Sequence, residues 1–550
     1  MFMSELKIKL LPSVEKCFLD EDIDKKSAIT RLSMLKNERL SFQMAYTGLG
    51  MGRTVCKRGK LTISGELAHK ITAYRIENVP VTVPAYPWTE DDNYLRREPG
   101  LYPDLMRPLD FDVPLAVVNG QLNSCLFTVE DADGIKSGEY EVTLTLALDD
   151  ISVSETMKIT VIDAMLPEQG LIHTQWFHVD CIAAYYGCEV YSERHFELIE
   201  KYMMAAVRCG VNMILTPIVT PPLDTGVGYE RPTTQLVDIT VNDGVYSYSY
   251  KNFDRYVELA ERCGMKYFEM SHLFAQWGGH GTAKVMATVD GEYKRIFGWG
   301  TDIWGEEFGG FVHSFLGSLT EHLRELGIAE RCYFHISDEP NLDHLELYTK
   351  AKELVAADLE GFHLMDALSD YDFYETGAVE IPIPSTNHIE PFIEHSVPDL
   401  WTYYCCGQHE DVSNRFLSMP GQRTRILGLQ LFKYGIKGFL QWGFNFWNSQ
   451  YSHFEINPYI ELCGDSWVPA GDTFSVYPGN DGEPIYSLHA LHFYEALQDL
   501  RALRLLENKL GHQAVVELIE EACHSPITFK NYPRGAEYLL GLRERVNLLL

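Results

Sequence analysis

The amino-acid sequence predicts a multi-domain protein: an N-terminal all-β sandwich, a TIM-type (β/α)8 barrel and a helical C-terminal extension. Three observations lead to this fold class. The chain has 550 residues, which is too long for one compact core. Short β-patterned segments without helices fill its first third, and strands then alternate with helices. We place the domains at residues 1–167, 168–485 and 486–550.

The first domain is predicted from its strand patterns. Segments 61–64, 71–74, 140–146 and 157–162 alternate apolar and polar residues or are rich in β-branched ones. Many short strands with no helix between them pack as two facing sheets. The stretch 167–170, which contains a proline and a glycine, marks the boundary to the next domain.

The second domain is predicted from a repeated order of strand, loop and helix. Eight strands fall within roughly 270 residues, which is the size of a TIM barrel. We place them at 171–177, 212–217, 266–270, 331–336, 362–366, 379–383, 400–404 and 437–442. A doubly wound open sheet is the alternative, but no Gly-rich phosphate loop follows any of these strands. The remaining segment, 486–550, has helical spacing and is expected to pack on the barrel.

Composition excludes some classes of partner. The net charge of −32 opposes binding to nucleic acid or to anionic membrane surfaces. Charged residues interrupt the N-terminus, so we expect no signal peptide, and no apolar run has the length of a membrane helix. The 12 cysteines form no C-x-x-C pair, which favours free thiols in a reducing compartment. We therefore expect a cytoplasmic protein that takes a small-molecule or oligosaccharide substrate.

Two adjacent acids follow the fourth barrel strand. In segment 332–341 a buried strand leads directly into Asp338 and Glu339, at the end of a barrel strand where reactive groups are usually found. Two neighbouring carboxylates are costly to bury, because each must lose water while repelling the other. One acid could merely cap the next helix, but Asn341 and Asp343 are available for that role. The pair therefore indicates catalysis.

Further stretches accompany this pair along the chain. They are Glu-Arg-Leu-Ser-Phe-Gln at 38–43, Tyr-Pro-Asp at 102–104, Ser-Asp-Glu-Pro at 337–340, Leu-Trp-Thr-Tyr-Tyr at 400–404 and the helix and strand at 425–443. Together they resemble glycoside hydrolase family 123, the β-N-acetylgalactosaminidases, over at least residues 38 to 500. The resemblance implies exo action on β-linked N-acetylhexosaminides, with N-acetylgalactosamine favoured.

Two positions depart from the pattern of that family. His489 stands where the family tends to have arginine, and Tyr-Glu-Ala at 494–496 stands where Arg-Asp-Gly is usual. These differences concern the identity of the sugar more than the two acids.

The resemblance also implies a role for each acid in substrate-assisted retention. Asp338 would orient the 2-acetamido group of the sugar and stay ionised, while Glu339 would protonate the leaving oxygen and then deprotonate water. Neighbouring Cα atoms are about 3.8 Å apart, and side chains diverge on a regular strand, so a turn must aim both at one pocket. Such a close pair leaves little room for the water of an inverting enzyme, whose carboxyl groups are about 6.5–9.5 Å apart.

Other functions remain open. Asp338 could be the nucleophile of a glycosidase that needs no acetamido group, or the protein could bind carbohydrate without turnover, although both acids are present. A metal hydrolase on the same barrel would typically need an H-x-H pair, and the sequence has none. We predict no metal and no cofactor.

Polar and aromatic side chains near the strand ends are the candidate substrate contacts. For each tryptophan the alternative is that it simply fills the core, and alternation allows only one of Tyr403 and Tyr404 to face inward. The predicted contacts are Trp176, His272, Asp366, Trp401, Tyr403, Trp442, Asn445 and Trp447.

Overall fold

The N-terminal region of the protein, seen in a computed structural model, is built entirely of β-strands and short 3-10 turns. The structure describes residues 5–51, 54–130, 134–275, 281–521 and 523–550. The first ten strands are β1 (Glu5–Pro12), β2 (Arg31–Lys36), β3 (Arg39–Leu49), β4 (Cys56–Ser64), β5 (Ile71–Val81), β6 (Gly100–Pro108), β7 (Leu115–Val118), β8 (Asn123–Glu130), β9 (Gly138–Leu148) and β10 (Ile151–Met165).

These strands form two five-stranded sheets, in the orders β1-β3-β8-β5-β6 and β2-β10-β9-β4-β7. Buried side chains of both sheets share one core, in which Phe42 and Phe127 of the first sheet meet Leu144 and Ile159 of the second. Strand β9 alternates buried and less buried residues along its second half, which is the pattern of a strand with one face on a core. The predicted all-β N-terminal region is confirmed.

The second half of the chain contains the barrel strands and several short additional ones. They are β11 (Ile172–Gln175), β12 (Met213–Thr216), β13 (Asp238–Asn242), β14 (Val245–Ser249), β15 (Tyr267–Met270), β16 (Val285–Val289), β17 (Glu292–Phe297), β18 (Cys332–Phe334), β19 (His363–Ala367), β20 (Ile381–Ile383), β21 (Trp401–Tyr403), β22 (Gly438–Gln441), β23 (Val476–Pro478) and β24 (Pro484–Tyr486).

Eight of these strands form one parallel sheet, in the order β20-β19-β18-β15-β12-β11-β22-β21. Its two ends approach each other, because an isolated parallel bridge joins Ser385, just after β20, to Tyr403 of β21. The sheet is therefore a nearly closed barrel. The eight parallel strands that the sequence predicts are all present.

Helices follow the barrel strands along the chain. They are α1 (Val179–Tyr186), α2 (Glu193–Arg208), α3 (Lys251–Cys263), α4 (Glu306–Glu325), α5 (Leu345–Ala356), α6 (Tyr371–Glu375), α7 (Glu390–Glu394), α8 (Gly421–Arg425), α9 (Leu427–Lys433), α10 (Leu488–Leu510), α11 (His512–Glu520) and α12 (Ala536–Leu549). α6, α7 and α8 have only five residues each.

Strand β18 shows how the barrel separates its two faces. Tyr333 packs inward with Trp401 and Leu440, in the cluster that fills the barrel. Its neighbours Cys332 and Phe334 pack outward, in the cluster that contains the surrounding helices. This alternation follows from the two-residue period of a strand. It continues into the loop that carries the two acids.

A four-stranded sheet that the sequence analysis did not predict stands beside the barrel. Its order is β14-β13-β16-β17, so it joins a hairpin from the segment after β12 to a hairpin from the segment after β15. Tyr246 of this sheet contacts Phe311 of α4. The insertions thus lengthen two of the loops that leave the carboxyl ends of barrel strands.

The C-terminal helices contact both halves of the molecule. In α10, Phe493 stacks on His173 of β11 and contacts Phe439 of β22. In α12, Arg543 donates a 2.7 Å hydrogen bond to Glu38 of the sandwich region. The helix α10 therefore packs on the barrel strands themselves. The predicted three-domain division remains a prediction.

Two further observations concern the whole chain. All twelve cysteines lie in the described part of the sequence, and all are free thiols. Among the residues that the structure describes, no helix combines the length and the apolar character needed to cross a membrane. The cytoplasmic location remains a prediction.

Candidate active site

A cavity of about 140 Å³ lies where the barrel strands end. Both acids predicted from the sequence line it. The predicted residues among its walls are Trp176, Asp338, Glu339, Tyr403 and Trp442. The walls that were not predicted are Asp224, Ala367, Cys405, Cys406, Leu440 and Trp467.

The chain turns sharply after β18, and this turn brings both acids to one cavity. Asp338 is 7% exposed, whereas Glu339 is exposed at the cavity rim. Glu339 has a φ of 46°, in the left-handed region that non-glycine residues adopt at an energetic cost. Because the strand geometry is interrupted here, two adjacent side chains do not have to point to opposite faces. The buried acid and the exposed acid therefore have different surroundings.

Tyr403 of β21 holds the exposed acid. Its hydroxyl group donates a 2.6 Å hydrogen bond to Oε1 of Glu339. Burial, together with the nearby carboxylate, raises the pKa of Tyr403 well above its usual value, so the phenol keeps its proton. The next residue, Tyr404, packs outward against Phe439. Alternation along β21 thus selects Tyr403 for the cavity.

Tryptophan rings form the apolar part of the cavity wall. The indole N–H of Trp442 donates a 3.0 Å hydrogen bond to Asp472, and its ring lies 5.7 Å from that of Trp467. The indole N–H of Trp176 donates to Glu269 at 2.8 Å. Each of these two bonds fixes a ring edge in the protein and leaves the ring to line the cavity. Such rings provide flat apolar surfaces for the apolar faces of a sugar.

A buried charge network lies beneath the cavity. His335 contacts Glu269 at 2.7 Å and lies 3.4 Å from Asp366. Burial alone would lower the pKa of His335, but the hydrogen bonds and charges of the two carboxylates raise it to about 10. Asp366 also accepts the backbone N–H groups of Ile336 and Ser337, at 3.2 and 3.3 Å. The network therefore anchors the backbone immediately before the two acids.

His272 lies beside this network and does not reach the cavity wall. Among the described residues, neither of its ring nitrogens has a hydrogen-bond partner. Burial, and then the positive charge of His335, lower the pKa of His272 well below its usual value. The ring is therefore neutral, and it stacks on the imidazole of His335 at 4.1 Å.

The same histidines are the strongest candidates for a metal site in the described residues. Donor atoms of His272, His335 and Asp366 lie within 4.8 Å of one another. However, the two imidazole planes are only 19° from parallel and stack face to face. Nitrogen lone pairs lie in the ring plane, so the lone pairs of two stacked imidazoles do not converge on one ion. In addition, His335 already contacts two carboxylates. The cluster fits a hydrogen-bonded ion network better than metal ligation.

We expect His335→Asn to lower the free energy of unfolding by about 3 kcal/mol near pH 6, because it leaves two buried carboxylates without their cation. The stabilisation from His335 is fully present below the pKa of an unfolded histidine, about 6.5. It is lost as the pH rises toward the folded pKa of about 10, since only the folded state holds the proton between these values. Denaturant unfolding of both proteins near pH 6 and near pH 9.5 measures this change.

The control for this experiment is His313→Asn, which breaks an exposed contact between His313 and Asp358. That change should cost less than about 1 kcal/mol at either pH. A difference between wild type and His335→Asn that stays constant from pH 6 to pH 9.5 would show that His335 is not charged in the folded state.

Three of the predicted contacts do not line this cavity. Trp401 is buried in the barrel interior, where its ring lies against Gly438 so closely that a Cβ there would meet it at 1.9 Å. Asn445 exchanges hydrogen bonds with the backbone of His178 at 2.9 and 3.0 Å. Trp447 is buried, and its N–H donates to a backbone oxygen. All three side chains are buried, and their role as substrate contacts remains a prediction.

Asp366 and His272 likewise lie below the cavity and not in its wall. Both were predicted as contacts to sugar hydroxyl groups, but Asp366 is 1% exposed and His272 is fully buried. The carboxylate of Asp366 instead accepts hydrogen bonds from backbone N–H groups and contacts the His335 ring. Its position therefore supports the acid pair from beneath.

Asp224, on the long loop after β12, is a cavity residue that was not predicted from the sequence. Asp224 lines the cavity, and burial raises its pKa to about 7. A carboxyl group with that pKa can donate as well as accept a hydrogen bond near neutral pH. Its neighbours Thr225 and Gly226 are ordinary turn residues, so no local signal distinguished it from any other loop aspartate.

The cavity combines two adjacent carboxyl groups in different surroundings with tryptophan walls, at the carboxyl ends of barrel strands. Glycoside hydrolases typically use two carboxyl groups, and barrel enzymes carry their active sites at this end of the strands. Residues 176–506 match the family described as glycoside hydrolase 123, catalytic domain. That match covers more than half of the chain, and the protein belongs to glycoside hydrolase family 123.

One solved structure shares the fold of this chain. A family 123 glycoside hydrolase from Clostridium perfringens, studied for the hydrolysis of glycolipid glycans, has the same fold with a TM-score of 0.74 and 15% identity. The alignment covers 99% of this chain and 96% of that one. A β-glucuronidase from Parabacteroides merdae reaches a TM-score of only 0.31 at 10% identity, over 90% of this chain and 51% of that one. No protein with a curated description matches the sequence.

Proposed function

We propose that this enzyme removes terminal β-linked N-acetylhexosamine residues, with N-acetylgalactosamine favoured, by substrate-assisted retention. The observation that carries the proposal is that Asp338 and Glu339, one buried and one exposed, line the same cavity. We take the nearly closed sheet to be a TIM-type (β/α)8 barrel. In such barrels the active site lies at the carboxyl ends of the strands.

In the first step, the carboxylate of Asp338 accepts the N–H of the 2-acetamido group and orients its carbonyl oxygen toward C1. That oxygen forms a bond to C1 as the bond from C1 to the leaving oxygen breaks. Glu339 transfers its proton to the leaving oxygen and becomes a carboxylate. The negative charge of Asp338 stabilises the positive oxazolinium-like intermediate.

In the second step, a water molecule attacks C1 from the side that the leaving group has vacated. The Glu339 carboxylate takes a proton from this water, and the bond between C1 and the acetamido oxygen breaks. The acetamido group is restored, Glu339 is again protonated, and the product keeps the β configuration. Each acid therefore returns to its initial state.

The contact between Tyr403 and Glu339 supports this division of roles. The hydroxyl group of Tyr403 donates to Oε1 of Glu339, so the proton that Glu339 transfers resides on the other carboxyl oxygen, Oε2. Glu339 is exposed at the rim, where a leaving group can depart into solvent. Asp338 lies deeper, where fixed contacts have a larger electrostatic effect than in water.

We expect hydrolysis to depend on the 2-acetamido group. Nitrophenyl N-acetyl-β-galactosaminide should be cleaved at least about 100-fold faster than nitrophenyl β-galactoside, because the oriented acetamido oxygen replaces an external nucleophile. A thiazoline analogue of the intermediate should inhibit competitively. Initial rates on the paired substrates measure the first effect, and inhibition kinetics measure the second.

A different outcome would identify the rival mechanism. If a 2-fluoro sugar traps a covalent adduct on Asp338, detected by mass spectrometry of the intact protein and of its peptides, Asp338 is an ordinary nucleophile. If neither substrate is cleaved but the sugar still binds, the protein is a catalytically silent carbohydrate-binding protein.

A further inference from the structure

A loop of the sandwich region packs on the barrel domain near the segment that carries Cys405 and Cys406 of the cavity wall. This loop, residues 82–99, connects β5 to β6 and runs along the barrel. The backbone N–H of Ala470 donates to the carbonyl of Val83 at 3.1 Å, and that of Leu95 donates to Ser418 at 2.7 Å. Backbone bonds at both ends hold the loop against the barrel.

Side chains fix the middle of the same loop. Asp91 accepts a 2.5 Å hydrogen bond from Arg423, which is almost completely buried. The hydroxyl group of Tyr94 donates to the carbonyl of His409 at 2.6 Å. Side-chain contacts as well as backbone hydrogen bonds therefore hold the loop against the barrel.

The tip of this loop presents an aromatic pair. The rings of Tyr86 and Trp88 stack at 4.7 Å with an angle of 10° between their planes. Tyr86 also meets the ring of His409 edge-on at 5.2 Å. Trp88 is nevertheless 66% exposed, which is unusual for a large apolar side chain held by its neighbours.

The aromatic pair is continuous with the cavity wall on the side of Glu339. The ring of Tyr86 meets that of His409, and the backbone N–H of the preceding residue, Gln408, donates to the carbonyl of Cys405 at 3.2 Å. Cys405 and Cys406 both line the cavity. Tyr403, two residues before Cys405, lines the same cavity and donates a 2.6 Å hydrogen bond to Glu339. A path along the wall thus leads from the exposed acid to the exposed tryptophan.

We propose that Tyr86 and Trp88 form the binding surface for the sugar on the leaving-group side of the scissile bond. The inference rests on the proposed function, because Glu339 must then face the leaving oxygen. The cavity, at about 140 Å³, is smaller than the pockets of about 300–1,000 Å³ that enclose larger ligands. It is too small to enclose more than one sugar ring, so the rest of the substrate extends outward past Glu339.

An aromatic face at that position selects a ring over a simple alkyl group. The exposed face of Trp88 is flat and apolar, and the apolar face of a pyranose packs on such a surface. A surface that binds a ring on the leaving-group side fits an oligosaccharide or glycoconjugate better than an isolated N-acetylhexosaminide, and Tyr86 and Trp88 belong to the sandwich region. The N-terminal region thus contributes to specificity.

The test compares substrates that differ only in the leaving group. They are the β-1,3- and β-1,4-linked disaccharides of N-acetylgalactosamine and galactose, and methyl N-acetyl-β-galactosaminide. For Trp88→Ala we expect kcat/KM on the better disaccharide to fall at least about fivefold, because one ring contact is lost. On the methyl glycoside, kcat/KM should fall no more than about twofold. Trp88→Phe should restore most of the loss, since it returns a ring.

Trp304→Ala is the matched control, because Trp304 is also an exposed tryptophan, at 45%, and does not line the cavity. It should leave both rates unchanged. Equal losses for Trp88→Ala on both substrates, or no loss on either, would overturn the inference while leaving the proposed function intact. If the wild-type enzyme cleaves none of these substrates, the proposed function itself fails and the inference fails with it.

Discussion

Glu339→Gln is expected to lower kcat by about 100- to 10,000-fold on β-N-acetylgalactosaminides with alkyl or sugar leaving groups, while the protein folds normally. Glutamine has the shape of glutamate and can still accept the hydrogen bond from Tyr403. It has no proton to transfer to a poor leaving group and cannot deprotonate water. Steady-state kinetics on methyl and disaccharide substrates measure the loss, and circular dichroism with thermal unfolding checks the fold.

The leaving group provides an internal control for this role. Nitrophenolate leaves without a proton, so the first step of Glu339→Gln on a nitrophenyl substrate should be impaired less than on an alkyl one. The matched control variant is Glu346→Gln, which changes an exposed glutamate paired only with Lys350 on α5. Equal losses on nitrophenyl and alkyl substrates would mean that Glu339 does not act as the acid.

Asp338→Asn is expected to lower kcat by about 100- to 1,000-fold on substrates that carry the acetamido group, because the positive intermediate loses its countercharge. The amide also presents an N–H donor where the substrate requires an acceptor. Thiazoline affinity should fall together with kcat, since the inhibitor resembles the intermediate. Kinetics with the acetamido substrate and thiazoline titration measure the two effects.

Asp343→Asn is the control for that experiment, because Asp343 lies five residues further along the chain and is exposed. It should leave both quantities unchanged. An Asp338→Asn enzyme that loses turnover yet binds thiazoline as tightly as wild type would contradict the proposed contact to the acetamido group.

Much of the fold was predictable because it depends on local patterns. The two-residue alternation in the N-terminal strands and the repeated strand and helix segments were sufficient for an all-β region followed by eight parallel strands. The sheet of β13, β14, β16 and β17 was missed. Its strands are short, partly exposed hairpins, and their assembly depends on a pairing between Thr240 and Thr288, far apart in sequence.

The motifs of the N-terminal half have a structural explanation that the sequence could not supply. Asp104, in the Tyr-Pro-Asp stretch, contacts His489 at 2.8 Å and accepts a 2.6 Å hydrogen bond from Tyr477. Glu38 binds Arg543 of α12. These residues join the sandwich region to the rest of the chain. The histidine at position 489 thus pairs with an acid, as the arginine that the family tends to have there could also do.

Some residues of the candidate site were predictable from the sequence, and others were not. Asp338, Glu339, Tyr403 and Trp442 were found from the sequence, because each lies at the end of a strand whose position was predictable. Trp467, Cys405 and Cys406 reach the cavity from long loops, where spacing carries no information about direction. Trp401 lies in the barrel interior and not in the cavity wall, since a strand-end tryptophan can fill the barrel as readily as it can line a cavity.

The sequence by itself determined the two halves of the fold, the acid pair and the resemblance to the family, because these follow from residue types at short, regular intervals. Only the tertiary structure decided that the left-handed backbone at Glu339 brings both acids to one cavity. It also decided which aromatic rings line that cavity and where a loop of the sandwich region packs on the barrel. Such arrangements depend on contacts between residues hundreds of positions apart, and no local pattern encodes them.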